Sequence, residues 1–226
     1  MLKYIGSGLT MLLFVSNLWG QNEDDYQVGI LVMDGVYNTE LTAPYDIFHH
    51  TLFREGVKPM EVFLVSEDGG TVTTFEGIEL LSDHDFDSAP ELDILVIPAA
   101  EGHLGKDLKN ERLLSYIGSV MKQADYVLTL CDGAFLLAAA GLPKGTHVTT
   151  FPGDIDEFEH RFSNLDVHRD VLFVHDGRFI TGAGGARSFE PALYLCELLY
   201  GKQVAEQLAK GMVIEWDLEE IKYFRR

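Results

Sequence analysis

Short apolar runs recur along the chain, separated by stretches whose apolar residues repeat every three or four positions. Tyr26-Gln27-Val28-Gly29-Ile30-Leu31-Val32-Met33, Val62-Phe63-Leu64-Val65, Asp93-Ile94-Leu95-Val96-Ile97-Pro98 and Tyr126-Val127-Leu128-Thr129-Leu130 are short and nearly continuous. Runs of that kind predict strands buried on both faces. A helix is expected from a cap at Asn38 or Thr39, through Tyr45, Ile47, Phe48, Leu52 and Phe53, to Gly56. A second spans 108–124, with Leu113, Leu114, Ile117, Val120 and Met121 on one face, and a third runs from Ala134 to Ala140. Residues 71–81 read as a hairpin around Glu76-Gly77. His147 to Phe151 and Leu172 to Val174 read as later strands, and His175-Asp176-Gly177 as a turn into Phe179-Ile180-Thr181. Two helices, 187–200 and 202–212, close the pattern. This rhythm predicts an α/β domain over about 26–220, with a mostly parallel sheet and helices on both faces.

Residues 1–20 read as a signal peptide. Lys3 is followed by an apolar stretch through Leu12, Leu13, Phe14 and Val15, then by Gly20 and the polar run Gln21-Asn22-Glu23-Asp24-Asp25. Cleavage is expected after Gly20, with a periplasmic or secreted product. The alternative is a retained anchor, which the short and interrupted apolar run disfavours.

The chain has 226 residues with 46% hydrophobic positions, enough for a sizeable core. Its 17 Lys+Arg against 36 Asp+Glu give a net charge of −19. No nucleic-acid partner is expected, because phosphate contacts need a basic patch, and an anionic membrane surface is disfavoured on the same ground. With two cysteines, a disulfide scaffold is excluded. No His/Asp cluster has a recognisable ligand spacing, so neither metal nor cofactor is expected.

The strongest chemical signal is Leu130-Cys131-Asp132-Gly133, where a buried strand ends at a Cys and a helix begins two residues later. This is the layout of a nucleophile elbow with Cys in place of Ser. A helix N-terminus favours a thiolate, and turn N–H groups can hold an oxyanion. Gly133 permits the tight backbone. The loop Pro98-Ala99-Ala100-Glu101-Gly102-His103 is expected beside Cys131, at the carboxyl edge of the sheet. Cys196 lies on the apolar stripe of Phe189, Ala192, Leu193 and Leu199 and reads as core, a poor disulfide partner for Cys131. Gly153 to His160 reads as a solvated acidic helix start, and Thr181-Gly182-Ala183-Gly184-Gly185-Ala186 as a tight turn packing a helix on the sheet.

Four segments resemble the ThiJ/PfpI superfamily, part of the class I glutamine-amidotransferase-like group. They are Val28 to Val36 with Glu40-Leu41-Thr42-Ala43-Pro44-Tyr45-Asp46; Asp93 to Pro98; Cys131-Asp132-Gly133-Ala134-Phe135-Leu136-Leu137-Ala138-Ala139-Ala140-Gly141-Leu142; and Thr181 to Ala186. The likeness is greatest to the branch of isonitrile hydratases and AraC-type sensor domains. It implies a flavodoxin-like three-layer sandwich, a homodimer, Cys131 as nucleophile, and Glu40 as the acid against the thiol. A protonated, buried carboxyl there donates to a thiolate. The chain also departs from the pattern. Phe151 follows Thr149-Thr150 where many members carry a His, and Asp132 follows the Cys where peptidase-like members carry a His and hydratase-like ones tend to have Thr. Ala99-Ala100 replaces a Gly-Gly.

Two functions follow as expectations. One is a cysteine-dependent hydratase or hydrolase of a small molecule, with catalytic Cys131, Glu40 and His103. Here the N–H groups of Asp132 and Ala100 form the oxyanion hole, and Gly102, Gly133 and Phe151 border the substrate. The other is a non-catalytic ligand-binding or redox-sensing module.

Overall fold

A computed structural model describes residues 25–226. The signal-peptide reading falls on residues outside this range.

The four apolar runs form neighbouring parallel strands. β1 (Tyr26–Leu31) leads through α1 (Asn38–His49) to β2 (Met60–Ser66). The hairpin β3 (Gly70–Thr73) and β4 (Glu79–Ser82) follows, then β5 (His84–Asp85) and β6 (Ile94–Ile97). Next come α2 (Glu111–Gln123), β7 (Tyr126–Leu130), α3 (Gly133–Ala139), β8 (His147–Val148), α4 (Ile155–Arg161) and β9 (Asp166–Val167). The chain ends with β10 (Phe173–Asp176), β11 (Phe179–Gly182), α5 (Phe189–Tyr200), α6 (Lys202–Gly211) and β12 (Tyr223–Arg225). The main sheet has eight strands in the order β12-β10-β11-β7-β6-β1-β2-β5. Every neighbouring pair is parallel except β10–β11.

Strand periodicity explains the continuous apolar runs. Ile94 and Val96 face one core with Ile47 and Phe48 of α1, Leu193 and Tyr194 of α5, and Leu208 of α6. Leu95 and Ile97 face the other, with Leu113 and Ile117 of α2, Phe135 of α3 and Phe158 of α4. Alternate residues are thus buried on opposite faces, so no polar alternation is written into the strands. This is the flavodoxin-like arrangement of three layers.

Connections from β1 and β6 diverge. β1 passes through α1 to β2 on one side, and the chain then crosses back to place β6 on the other. The crevice beyond the carboxyl ends of β1 and β6 is therefore a topological switch point, where open α/β sheets take ligands.

The structure revises several expected elements. Only His147 and Val148 of the run to Phe151 are a strand, and they pair with β9 outside the main sheet. The Thr149 N–H donates instead to Thr181 Oγ1, and the Thr150 hydroxyl to the Cys131 carbonyl. Side-chain partners replace the ladder there. Helix α1 stops at His49, leaving Leu52 and Phe53 exposed. The C-terminal residues form edge strand β12, whose Phe224 lies under the rings of His147 and His168. Cys131 and Cys196 are both free thiols.

Phe135 is fully buried and meets Phe158 edge-on at 4.9 Å. Phe135→Ala is expected to cost about 3–5 kcal/mol in urea unfolding. A loss below about 1 kcal/mol would contradict this packing.

Candidate active site

Cys131 occupies the two-residue link between β7 and α3 at φ +52°. A side chain in this left-handed region costs on the order of 1–3 kcal/mol. Its surroundings hold it there. The Cys131 N–H donates to the Gly182 carbonyl at 2.9 Å, and its carbonyl accepts from the Thr150 hydroxyl at 2.9 Å. Two glycines make room. A Cβ on Gly133 would fall 2.0 Å from the Ile97 carbonyl oxygen, so α3 can start against β6 only without one. A Cβ on Gly184, at φ +81°, would fall 2.4 Å from the Cys131 Cβ and 2.8 Å from Glu40 Oε1.

Glu40 lies in the first turn of α1 and is buried. Its Oε2 accepts from the Ala99 N–H and its Oε1 from the Gly185 N–H, each at 2.9 Å. The carboxyl thus joins the loops after β6 and β11, and its charge lies close enough to Cys131 to act on the thiol. The backbone of Asp132 acts in the opposite sense and lowers the thiol's pKa. Burial, followed by the negative charges of Glu40 and Asp132, pushes the Cys131 thiol far up. This corrects the expectation of a thiolate favoured by the helix N-terminus. α3 has seven residues, and its dipole is outweighed by burial and two carboxyls.

Asp132 is 8% exposed. Its Oδ1 lies 3.4 Å from the Thr150 hydroxyl. Burial first, then the charges of Asp154 and Glu40, raise its pKa to about 7. Tyr37 completes this side. Its phenol is pushed up by burial and then by the charges of Cys131, Asp132, Glu101 and Glu40. Phe75 packs on Tyr37 at 4.9 Å, and Phe75 and Phe151 are both exposed. The site therefore has an acidic floor and aromatic side chains exposed around it.

The sequence-predicted residues separate into two groups. Cys131, Glu40 and Asp132 are brought together. The Ala100 N–H is taken by no acceptor among the described residues, so it remains free as a donor. Phe151 lies over Gly153 and is exposed. His103 is elsewhere in its bonding. Its Nε2 meets the Pro98 carbonyl and its Nδ1 meets Asp107 Oδ2, each at 3.0 Å. With both ring nitrogens engaged and the ring buried, it has no free lone pair for Cys131. Gly102 packs against that pair: a Cβ there would fall 2.3 Å from Asp107 Oδ2. A separate groove of about 430 Å³, lined by Asp34, Glu67, Lys106 and Asp107, contains none of Cys131, Glu40 or Asp132. Among the described residues no cluster of three or more His, Cys, Asp or Glu is arranged to hold a metal.

Four residues around the site carry no signal of that role in the sequence. Gly184 and Gly185 lie in the segment that reads as a packing turn, Asp154 in the segment that reads as a solvated helix start, and Tyr37 belongs to no motif. The positive-φ glycines next to a helix were the available signal for the first.

Comparison with known proteins agrees with this geometry. The model of the DJ-1/PfpI family matches residues 26–198. The isonitrile hydratase of Pseudomonas putida is 32% identical over 180 residues, 80% of this chain and 75% of that protein. The HTH-type transcriptional regulator CdhR of Pseudomonas aeruginosa is 28% identical over 186 residues, 82% of this chain but 52% of the regulator. The crystal structure of Drosophila melanogaster DJ-1beta superposes with a TM-score of 0.72 at 19% identity, covering 85% of this chain and all of that one. At that identity the likeness shows the fold.

The raised Asp132 pKa has a consequence for stability. A carboxyl whose folded pKa lies above its unfolded value stabilises fully below the unfolded value of about 3.9, and that contribution is lost as pH rises through about 7. Asp132→Asn cannot ionise, so it is expected to gain about 1–3 kcal/mol on the wild type between pH 5 and 8. Thermal unfolding of both proteins across that range checks this, and a pH-independent difference would contradict it.

Proposed function

This chain belongs to the DJ-1/PfpI family, and we propose that it is a cysteine-dependent hydratase or hydrolase of a small neutral or cationic molecule, adding Cys131 to a carbon bonded to nitrogen. One observation carries this reading. The thiol is fixed at a strained elbow between a carboxyl that can take its proton and an N–H that can support the sulfur charge. The acidic floor disfavours anionic substrates.

An isonitrile is the substrate class that similarity to the Pseudomonas putida isonitrile hydratase suggests. The chemistry balances with the groups present. As Sγ bonds to the terminal carbon, the thiol proton passes to Glu40 and from there to that carbon, leaving a thioimidate on Cys131. Water then adds, the C–S bond breaks, the nitrogen gains a proton and the thiol is restored. Substrate plus water becomes an N-substituted formamide. A high thiol pKa is compatible with this route, because the proton leaves in concert with attack rather than beforehand. Asp132 N–H and the free Ala100 N–H are the donors for developing charge.

A second reading is a ligand-binding module without turnover. Phe151 standing where a His base is expected, together with the similarity to the regulator CdhR, favours it. We further read the chain as an exported homodimer. Intact mass of the protein recovered outside the cytoplasm tests the first point, since a retained Met1 contradicts it, and sedimentation tests the second.

Incubation with cyclohexyl isocyanide, followed by NMR of the formamide, separates the readings. The wild type is expected to turn over, with Cys131→Ala and Glu40→Gln each slower by about 100-fold or more. Turnover that survives Cys131→Ala would sink the cysteine mechanism. Saturable binding without formamide would establish the module.

A further inference from the structure

His103 has no lone pair free for the thiol, yet it is bonded to the same peptide unit as Glu40. We propose that His103 is a positioning residue for Glu40: it grips the Pro98 carbonyl and so aims the Ala99 N–H of the same peptide unit at Glu40 Oε2. The inference rests on Glu40 acting as the proton acceptor for Cys131.

The bonds run in an unbroken series. Asp107 Oδ2 meets His103 Nδ1 at 3.0 Å, and His103 Nε2 meets the Pro98 carbonyl at 3.0 Å. A carbonyl oxygen only accepts, so Nε2 carries a hydrogen and donates it. The Pro98–Ala99 bond is trans, so its carbonyl and its N–H point in opposite directions. On the far side the Ala99 N–H donates to Glu40 Oε2 at 2.9 Å, and Glu40 Oε1 accepts from the Gly185 N–H, also at 2.9 Å. A peptide unit held at both ends cannot rotate away from either partner. A donor on its carbonyl also polarises its N–H toward the carboxyl.

The surroundings of His103 suit placement rather than proton exchange with solvent. The ring is 1% exposed, and Asp107, four residues on, is buried with it. The His103 N–H donates to the Ala100 carbonyl at 3.0 Å, so one residue ties both ends of the Pro98–Ala100 segment. Gly102 keeps the partner of the ring within reach: its carbonyl accepts the Asp107 N–H at 3.1 Å, and it leaves no room for a side chain of its own. A histidine that only satisfied a buried carbonyl would matter for folding alone. Here that carbonyl belongs to the unit that serves Glu40, so its loss reaches the proton acceptor.

The test compares two variants of the whole protein by turnover of cyclohexyl isocyanide and by the NMR signal of the Ala99 amide proton. His103→Gln is long enough to donate to the Pro98 carbonyl, whereas His103→Asn reaches Asp107 but not Pro98. His103→Asn is expected to lower kcat about tenfold or more with KM little changed, and His103→Gln to restore most of that loss. In a Glu40→Gln background His103→Asn is expected to cost nothing further, because its effect passes through Glu40. The Ala99 amide proton is expected to move upfield in His103→Asn and to return in His103→Gln. Thermal unfolding checks that each variant is folded; where His103→Asn does not fold, Asp107→Ala, which leaves the ring free to turn, carries the same comparison. An unchanged kcat at lowered thermal stability, or losses that add in full to those of Glu40→Gln, would overturn the inference and leave Glu40 as acceptor. No turnover by the wild type would overturn the enzyme reading; the Ala99 proton then decides the inference, a shift supporting it and an unmoved signal overturning it.

Discussion

A single buried carboxyl holds the site together. Glu40 accepts one N–H from the loop after β6 and one from the loop after β11, and its charge acts on the thiol of the loop after β7. Each of those loops sits where it does because its strand is central in the sheet. Burying an ionisable group is costly unless it is hydrogen-bonded, so these partners are a condition of the fold as well as of the chemistry. The close approach of Gly184 to both Cys131 and Glu40 comes from the same constraint. The backbone strain at Cys131 persists because the bonds from Thr150 and to Gly182 over-determine it.

Electrostatics here work against a free thiolate. Cys131 sees two carboxyls and little water, which is the opposite of the electropositive setting of a cysteine that ionises on its own. In the proposed mechanism the proton is taken instead by a neighbouring acceptor, the role given to Glu40. The same acidity filters ligands. A chain with a net charge of −19, with Glu40 and Asp132 near the sulfur, disfavours anionic ligands there.

Much of this was legible in the sequence, and the remainder was hidden for identifiable reasons. The central strands announced themselves because both faces are covered, so they are apolar throughout. The elbow showed as a Cys between a strand signal and a helix signal. Pairings distant in sequence did not show. Nothing in Asp154 distinguishes it from the acidic residues that follow it, yet its charge bears on Asp132. The Gly184-Gly185 contribution is a backbone N–H, which no side-chain pattern encodes. His103 misled because its loop does leave the right strand, yet an Asp four residues on captures its ring. The run to Phe151 misled because β-prone threonines there use their hydroxyl groups on neighbours rather than extending a ladder.

The central claim is that Cys131 bonds covalently to substrate carbon. Acid quenching of the wild type during its first turnovers of an isocyanide, followed by peptide mass analysis, tests that most directly. The account predicts that the Cys131 peptide carries the mass of one isocyanide molecule while the Cys196 peptide is unmodified. Formamide accumulating while Cys131 remains unmodified through those turnovers would contradict it.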